Sequence, residues 1–269
     1  MRRLLIALLL LAPLSIQAQD SESGSGSGTG PLFMKDLLGD REFFAPWGVG
    51  IDIFTMGQDY SISSLEFQLP GVGEIDPSKV GVTNDVQAFD IKLDVWVTPF
   101  LNVFGLVGRM DADTFVDFSN VTIPGLPLAL PTLPVAYDGT VYGLGFNLFY
   151  GTDRWFAALN NTWTDTSLSG DFDSSVSSFT VQPKLGLIVD GWTAWVGGMY
   201  LDTDEKHSGV IQLPIPGLPP VPFNVELESL EKWNYAVGFG KIFSPKATLF
   251  LEIGFGDRNH TLFNFTYRF

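Results

Sequence analysis

The sequence contains no cysteine and only two histidines in 269 residues, and its 15 basic residues face 30 acidic ones. Without thiols the fold cannot rest on disulfides, and cysteine-based catalysis or metal binding is excluded. The acid excess argues against a nucleic-acid partner, which needs a basic surface. Beyond Leu14 there is no apolar run of the roughly 18 residues that a membrane helix requires. A helical membrane protein is excluded in turn.

The start of the chain reads as an export signal. Arg2 and Arg3 precede the apolar run Leu4 to Leu14, and Ile16-Gln17-Ala18 offers a small residue before Gln19 for cleavage. Residues 1–18 are therefore set apart from the fold. Losing Arg2 and Arg3 leaves 13 bases against 30 acids, a net charge of −17. The exported chain is nevertheless apolar, with a mean hydropathy of +0.20 over the whole sequence and 14% aromatic residues. Two readings remain: a soluble β-protein, or a closed β-barrel in an outer membrane.

Residues 19–30 (QDSESGSGSGTG) have the composition of a flexible spacer, and Phe33 to Phe44 suits a short amphipathic helix at the periplasmic mouth, so 19–46 form a spacer and periplasmic segment. From Trp47 to the terminus, 47–269, the period is two. Phe89, Ile91, Leu93, Val95 and Val97 alternate with Asp90, Lys92, Asp94 and Trp96. Tyr142 to Tyr150 oppose Gly143, Gly145 and Asn147. Asp190-Gly191 is a two-residue hairpin signal. Counted this way, the chain holds ten strands, with eight or twelve as the alternatives. Four tight turns near 98, 152, 190 and 245 fall on one side, and the connections 58–84, 116–136, 167–176, 205–229 and 257–259 on the other. Short turns on one side and long connections on the other suit an all-β, closed, antiparallel up-and-down transmembrane barrel.

The polar face decides between lipid and water outside. It carries Gly, Asn and Thr rather than Lys and Glu, which suits a crowded interior, and Phe100, Tyr150, Trp155, Trp192 and Phe243 gather near the turns as a girdle would. Outer-membrane lipid is then the medium outside the wall.

The last strand, Phe263-Asn264-Phe265-Thr266-Tyr267-Arg268-Phe269, places an aromatic at every second position and ends on one. It resembles the carboxy-terminal signature of Gram-negative outer-membrane β-barrel proteins. That resemblance implies a bacterial outer-membrane location and makes Phe263, Phe265, Tyr267 and Phe269 the signal read by the barrel-assembly machinery. It identifies no particular family.

The candidate functional residues are the inward charges Asp52, Asp90, Lys92, Asp94, Arg109, Asp111, Lys184, Glu252 and Arg268. Five acids and four bases nearly balance. Such a set either pairs across strands or lines a pore. Inward glycines at 105, 143, 145, 186, 197, 238, 240 and 254 leave space for a thin passage. Three related apolar segments, Gln68 to Val72, Ile123 to Pro127 and Ile215 to Pro219, suit a cap over the outer mouth, a hydrophobic-solute entry or an adhesive surface.

Enzymatic readings are weaker. His207 lies near Asp202, Asp204 and Glu205, but no opposing acidic pair is evident, and His207-Ser208 are consecutive strand residues that point to opposite faces. Asp171, Asp173 and the 202–205 acids lack the spacing of a calcium hand. The expectation is a monomeric, narrow, poorly selective channel for small solutes with no catalytic residue, metal or cofactor. The alternative is a sealed barrel with adhesive outer loops.

Overall fold

The structure, a computed structural model, describes residues 29–67, 76–121, 132–169, 173–211 and 219–269. The expected signal peptide, most of the spacer and nearly all of the three apolar, proline-rich segments lie outside them. Eleven antiparallel strands follow in order: β1 (Trp47–Phe67), β2 (Gly81–Thr98), β3 (Leu101–Asp117), β4 (Leu133–Gly151), β5 (Trp155–Ser169), β6 (Asp173–Val189), β7 (Trp192–Ile211), β8 (Val221–Ser229), β9 (Trp233–Ser244), β10 (Ala247–Phe255) and β11 (Asn259–Arg268).

Two rings share these strands. In the lower ring β7 pairs with β9 through Trp192–Tyr200, and β11 closes onto β1 from Gly48↔Arg268 to Gly57↔Asn259. Ten strands, β1 to β7 with β9, β10 and β11, make that circle. Higher up, β8 takes over: it pairs with β7 through Asp204–Ile211 and with β1 through Tyr60–Phe67. The upper ring therefore has eight strands, β1 to β8. Closure at both levels leaves none of these strands with a free edge, which is what a wall in lipid requires.

The lower wall is apolar outside. Leu144 and Leu187 are 70% and 62% exposed, and Ile51, Leu93, Val196, Tyr235 and Phe239 continue the belt around the circle. Phe100, Tyr150, Trp155, Trp192 and Phe243, all exposed, stand at the short-turn end. Water does not tolerate a continuous apolar belt of this kind, so the belt marks the hydrocarbon layer. The turn at Asp190-Gly191 has φ of 50° and 76°, the paired positive values that a two-residue hairpin of this type needs.

Above Thr55, Gln87 and Arg109 the polarity inverts. Thr83, Asp85 and Gln87 of β2 now face outward, while Val82 and Val86 are buried. Met56, Val86, Met110, Ala112, Val141 and Leu201 form one internal cluster, and Tyr60, Val80, Val82, Phe118 and Leu227 form a second above it. The upper storey is thus built like a soluble barrel, apolar within and polar without. Its wall stands in water.

This inversion corrects the expected loops. Most of 58–84, 116–136, 167–176 and 205–229 is strand among the described residues: β1 continues to Phe67, β3 to Asp117 and β7 to Ile211, and β8 is an additional strand. The ten strands expected from the sequence are those of the lower ring.

Residues 30–46 lie against the short-turn mouth rather than in a helix of any length; only Lys35–Leu38 form a single 3-10 turn. The amides of Leu32 and Phe33 donate to the carbonyls of Trp96 and Val97, and the Ala45 amide donates to Pro245 O. Phe44 stacks on Trp96, and Arg268 Nη1 reaches Ala45 O at 3.5 Å. The segment is thereby fastened to β2, to the β9–β10 turn and to β11.

Candidate functional site

Seven of the nine candidate charges point into the lower ring, and six of them meet in three pairs. Lys92 Nζ lies 3.0 Å from Asp52, whose carboxylate also accepts from Asn264. Arg268 reaches Asp94 at 2.7 Å, and Asn102 donates to the same carboxylate at 2.5 Å. Lys184 and Glu252 meet at 2.5 Å, with side chains 10% and 2% exposed. Glu252 also accepts from Trp195 Nε1 at 2.8 Å, and His260 lies 3.5 Å away. Asp90 points inward, facing Gly108 across the β2–β3 pair. Burial makes charge neutralisation by direct contact necessary, since an isolated charge in such a space costs several kcal/mol.

Arg109 and Asp111 face outward, contrary to expectation. They sit on β3 with Val103, Val107 and Asp113, while Asn102, Phe104, Met110 and Ala112 are the buried set. Arg109 pairs with Asp138 of β4 at 2.5 Å on the exposed wall. Both lie above the level where polarity inverts, and there a polar residue belongs outside. Gly105 lies on that outer face too.

Five of the remaining inward glycines are covered by aromatic side chains or an imidazole. A Cβ at Gly145 would strike the Phe104 ring, one at Gly186 the Phe156 ring, and one at Gly238 the Trp195 indole. Gly240 is likewise covered by Phe250, and Gly254 by His260. Each glycine makes room for an aromatic on the neighbouring strand to lie flat across the wall. At these positions the inner face of the wall is covered by rings.

In the upper storey the structure brings together residues that the sequence did not connect. Glu205 and His207 are two apart on β7, so both face inward, and they are 1% and 8% exposed. His207 Nε2 lies 2.6 Å from Glu205 Oε1, and His207 Nδ1 lies 2.8 Å from Ser174 Oγ. Ser174 is the residue directly opposite His207 in the β6–β7 register. Tyr137 donates to Glu205, and Asn84 Nδ2 donates to Tyr137 at 3.1 Å. Burial, and then the Glu205 charge, push the Tyr60 and Tyr137 phenols up from their ordinary value, so both remain protonated donors. Above this floor opens an apolar cavity of about 90 Å³, lined by His207 and Tyr137 with Ile62, Val116, Val225 and Leu227. No group of three or more metal-binding side chains occurs among the described residues.

The step between the storeys is filled by Arg258, which is 1% exposed. It donates to Gln58 Oε1 at 3.1 Å and to Lys232 O at 3.2 Å, and Asn234 donates to its own carbonyl at 2.5 Å. These bonds close the place where β9, β10 and β11 end beneath β8.

The chain matches no protein-family model and no curated protein. Among solved structures it is similar to an outer-membrane channel of Pseudomonas putida F1, at 12% identity and a TM-score of 0.38, covering 86% of this chain and 98% of that one. The toluene transporter TodX of Pseudomonas putida gives 9% identity and a TM-score of 0.34, covering 82% and 87%. A loop-deletion mutant of the outer-membrane protein OmpT of Vibrio cholerae gives 11% and 0.32, covering 73% of this chain and 60% of that one. The ring of the chain itself carries the conclusion. Closed at two levels and carrying an apolar belt on the outside of its lower ring, it is an antiparallel β-barrel built as a membrane-spanning wall is.

Proposed function

We propose that the protein is a narrow, monomeric outer-membrane channel for small solutes, entered through the apolar chamber of the upper storey and shut at rest by the amino-terminal segment. The observation that carries this reading is the fastening of residues 30–46 at the short-turn mouth by separable contacts: four backbone hydrogen bonds, the Phe44–Trp96 stack and the Arg268–Ala45 bond. A segment held this way is removable without breaking the ring. Lys92 and Asp52 retain 18% and 13% side-chain exposure, so solvent reaches the bore at their level.

A second reading has its own support. The Asp94–Arg268 and Lys184–Glu252 pairs and the aromatic-over-glycine packing fill the bore, as in a barrel that serves as a sealed wall. Single-channel recordings in planar bilayers separate the two. The channel reading expects rare, small current steps from the intact protein and larger, longer ones after deletion of 19–46. An absence of steps from either form assigns the sealed barrel.

A further inference from the structure

We propose that Ser174, His207 and Glu205 constitute a serine-hydrolase relay at the outer mouth, acting on esters of short acyl chains. The order of contacts is the one that such chemistry needs. Glu205, fully buried, accepts the Nε2–H of His207 at 2.6 Å. With that hydrogen on Nε2, the Nδ1 lone pair faces Ser174 Oγ at 2.8 Å. Tyr137 donates to the same carboxylate and packs its ring against His207 at 5.3 Å between centroids, so the imidazole is held on two sides.

The substrate class follows from what His207 borders. The imidazole forms part of the wall of the apolar cavity, whose other walls are mostly aliphatic. At about 90 Å³ the cavity is small, which suits a short acyl chain. Ser174 itself is half-buried beside the first residue of β6, where a solute arriving from outside can meet it.

The proton balance closes within the relay. Ser174 Oγ adds to the ester carbonyl carbon while its proton passes to Nδ1, and the departing alkoxide takes that proton as the carbon–oxygen bond breaks. Water then attacks the acyl-Ser174, giving its proton to Nδ1, which returns it to Oγ as the carboxylic acid leaves. Glu205 touches no reacting atom and acts as a positioning residue.

The test uses the full exported chain folded in detergent, with folding followed by the heat-dependent gel shift of intact barrels. A fluorophosphonate probe is expected to add to the Ser174 peptide, and p-nitrophenyl butyrate to be hydrolysed with saturation. Ser174→Ala is expected to abolish both. His207→Gln should lower the rate by about a hundredfold or more. Glu205→Gln should lower kcat with KM held, and Glu205→Asp should recover part of it. Ser208→Ala, whose hydroxyl donates to Asp173 O, should match the parent. A folded parent barrel that gives no adduct on Ser174, or hydrolyses no faster than folded Ser174→Ala, overturns the proposal.

Discussion

Single glycines decide how the lower ring packs. At Gly238 the Trp195 indole occupies the space of a side chain, and at Gly145 the Phe104 ring does so. Both neighbours are backbone-anchored inward rings, so neither can retreat without vacating its own site. Gly238→Val is therefore expected to destabilise the barrel by about 1–3 kcal/mol or prevent closure, read as loss of the folded band on unheated gels. The ion pairs make a second residue-scale case. Glu252 anchors Lys184 and Trp195. Glu252→Leu alone strands the Lys184 ammonium and should cost about 3–5 kcal/mol. Adding Lys184→Met should return most of that loss, as measured by urea midpoints in a lipid or detergent host. A bore whose charges were independently hydrated would show additive effects instead.

At the scale of strands, the cysteine-free chain allows each face to be tested directly. Leu144→Cys and Leu187→Cys on the lower wall should resist a membrane-impermeant thiol reagent in liposomes. Thr83→Cys and Asp113→Cys, on outward faces of the upper wall, should react. β11 closes the lower ring, and the Phe269 amide bonds to Trp47 O at 3.0 Å, where the last residue meets the first strand. Deleting Phe269 is expected to reduce the amount of folded barrel recovered from outer membranes, checked by the same gel shift.

The lower ring was legible because one alternation phase, apolar outward, runs through each of its strands. The upper storey was not, because at Thr55, Gln87 and Arg109 the phase reverses while the strand continues. On β3 both faces carry apolar residues, Val103 and Val107 outward and Phe104, Leu106 and Met110 inward, so the pattern reads as well turned over, and that reading puts Arg109 and Asp111 inside. The relay was hidden for a different reason. Ser174 and His207 are 33 residues apart and become neighbours only through the β6–β7 register. Sequence adjacency pointed instead to Ser208, which lies on the opposite face. The pattern Glu205-x-His207, two inward polar groups on one strand, was the available signal.

The whole molecule has an unequal shape across the membrane. On the short-turn side the strands end beneath the segment 30–46, so among the described residues little projects there. On the outer side β1 continues from the polarity change at Thr55 to Phe67, with β8 and β7 beside it. Twelve steps of about 3.3 Å at a tilt of about 40° rise roughly 30 Å above the bilayer surface. The narrowing from ten strands to eight is what permits this height. A ten-strand ring extended into water would need a wider apolar core, and the cluster around Tyr60 lies where β8 has replaced β11 beside β1. Atomic-force height profiles of the protein in a supported bilayer should therefore show a rigid protrusion of about 30 Å on one face and almost none on the other. Removing residues 212–229, which deletes β8, should lower the outer protrusion and leave the lower ring and its gel shift in place, because β9, β10 and β11 close that ring without it. Loss of the gel shift on that deletion would mean that the two storeys fold as one unit, with β8 holding β1 to β7 while the last three strands arrive.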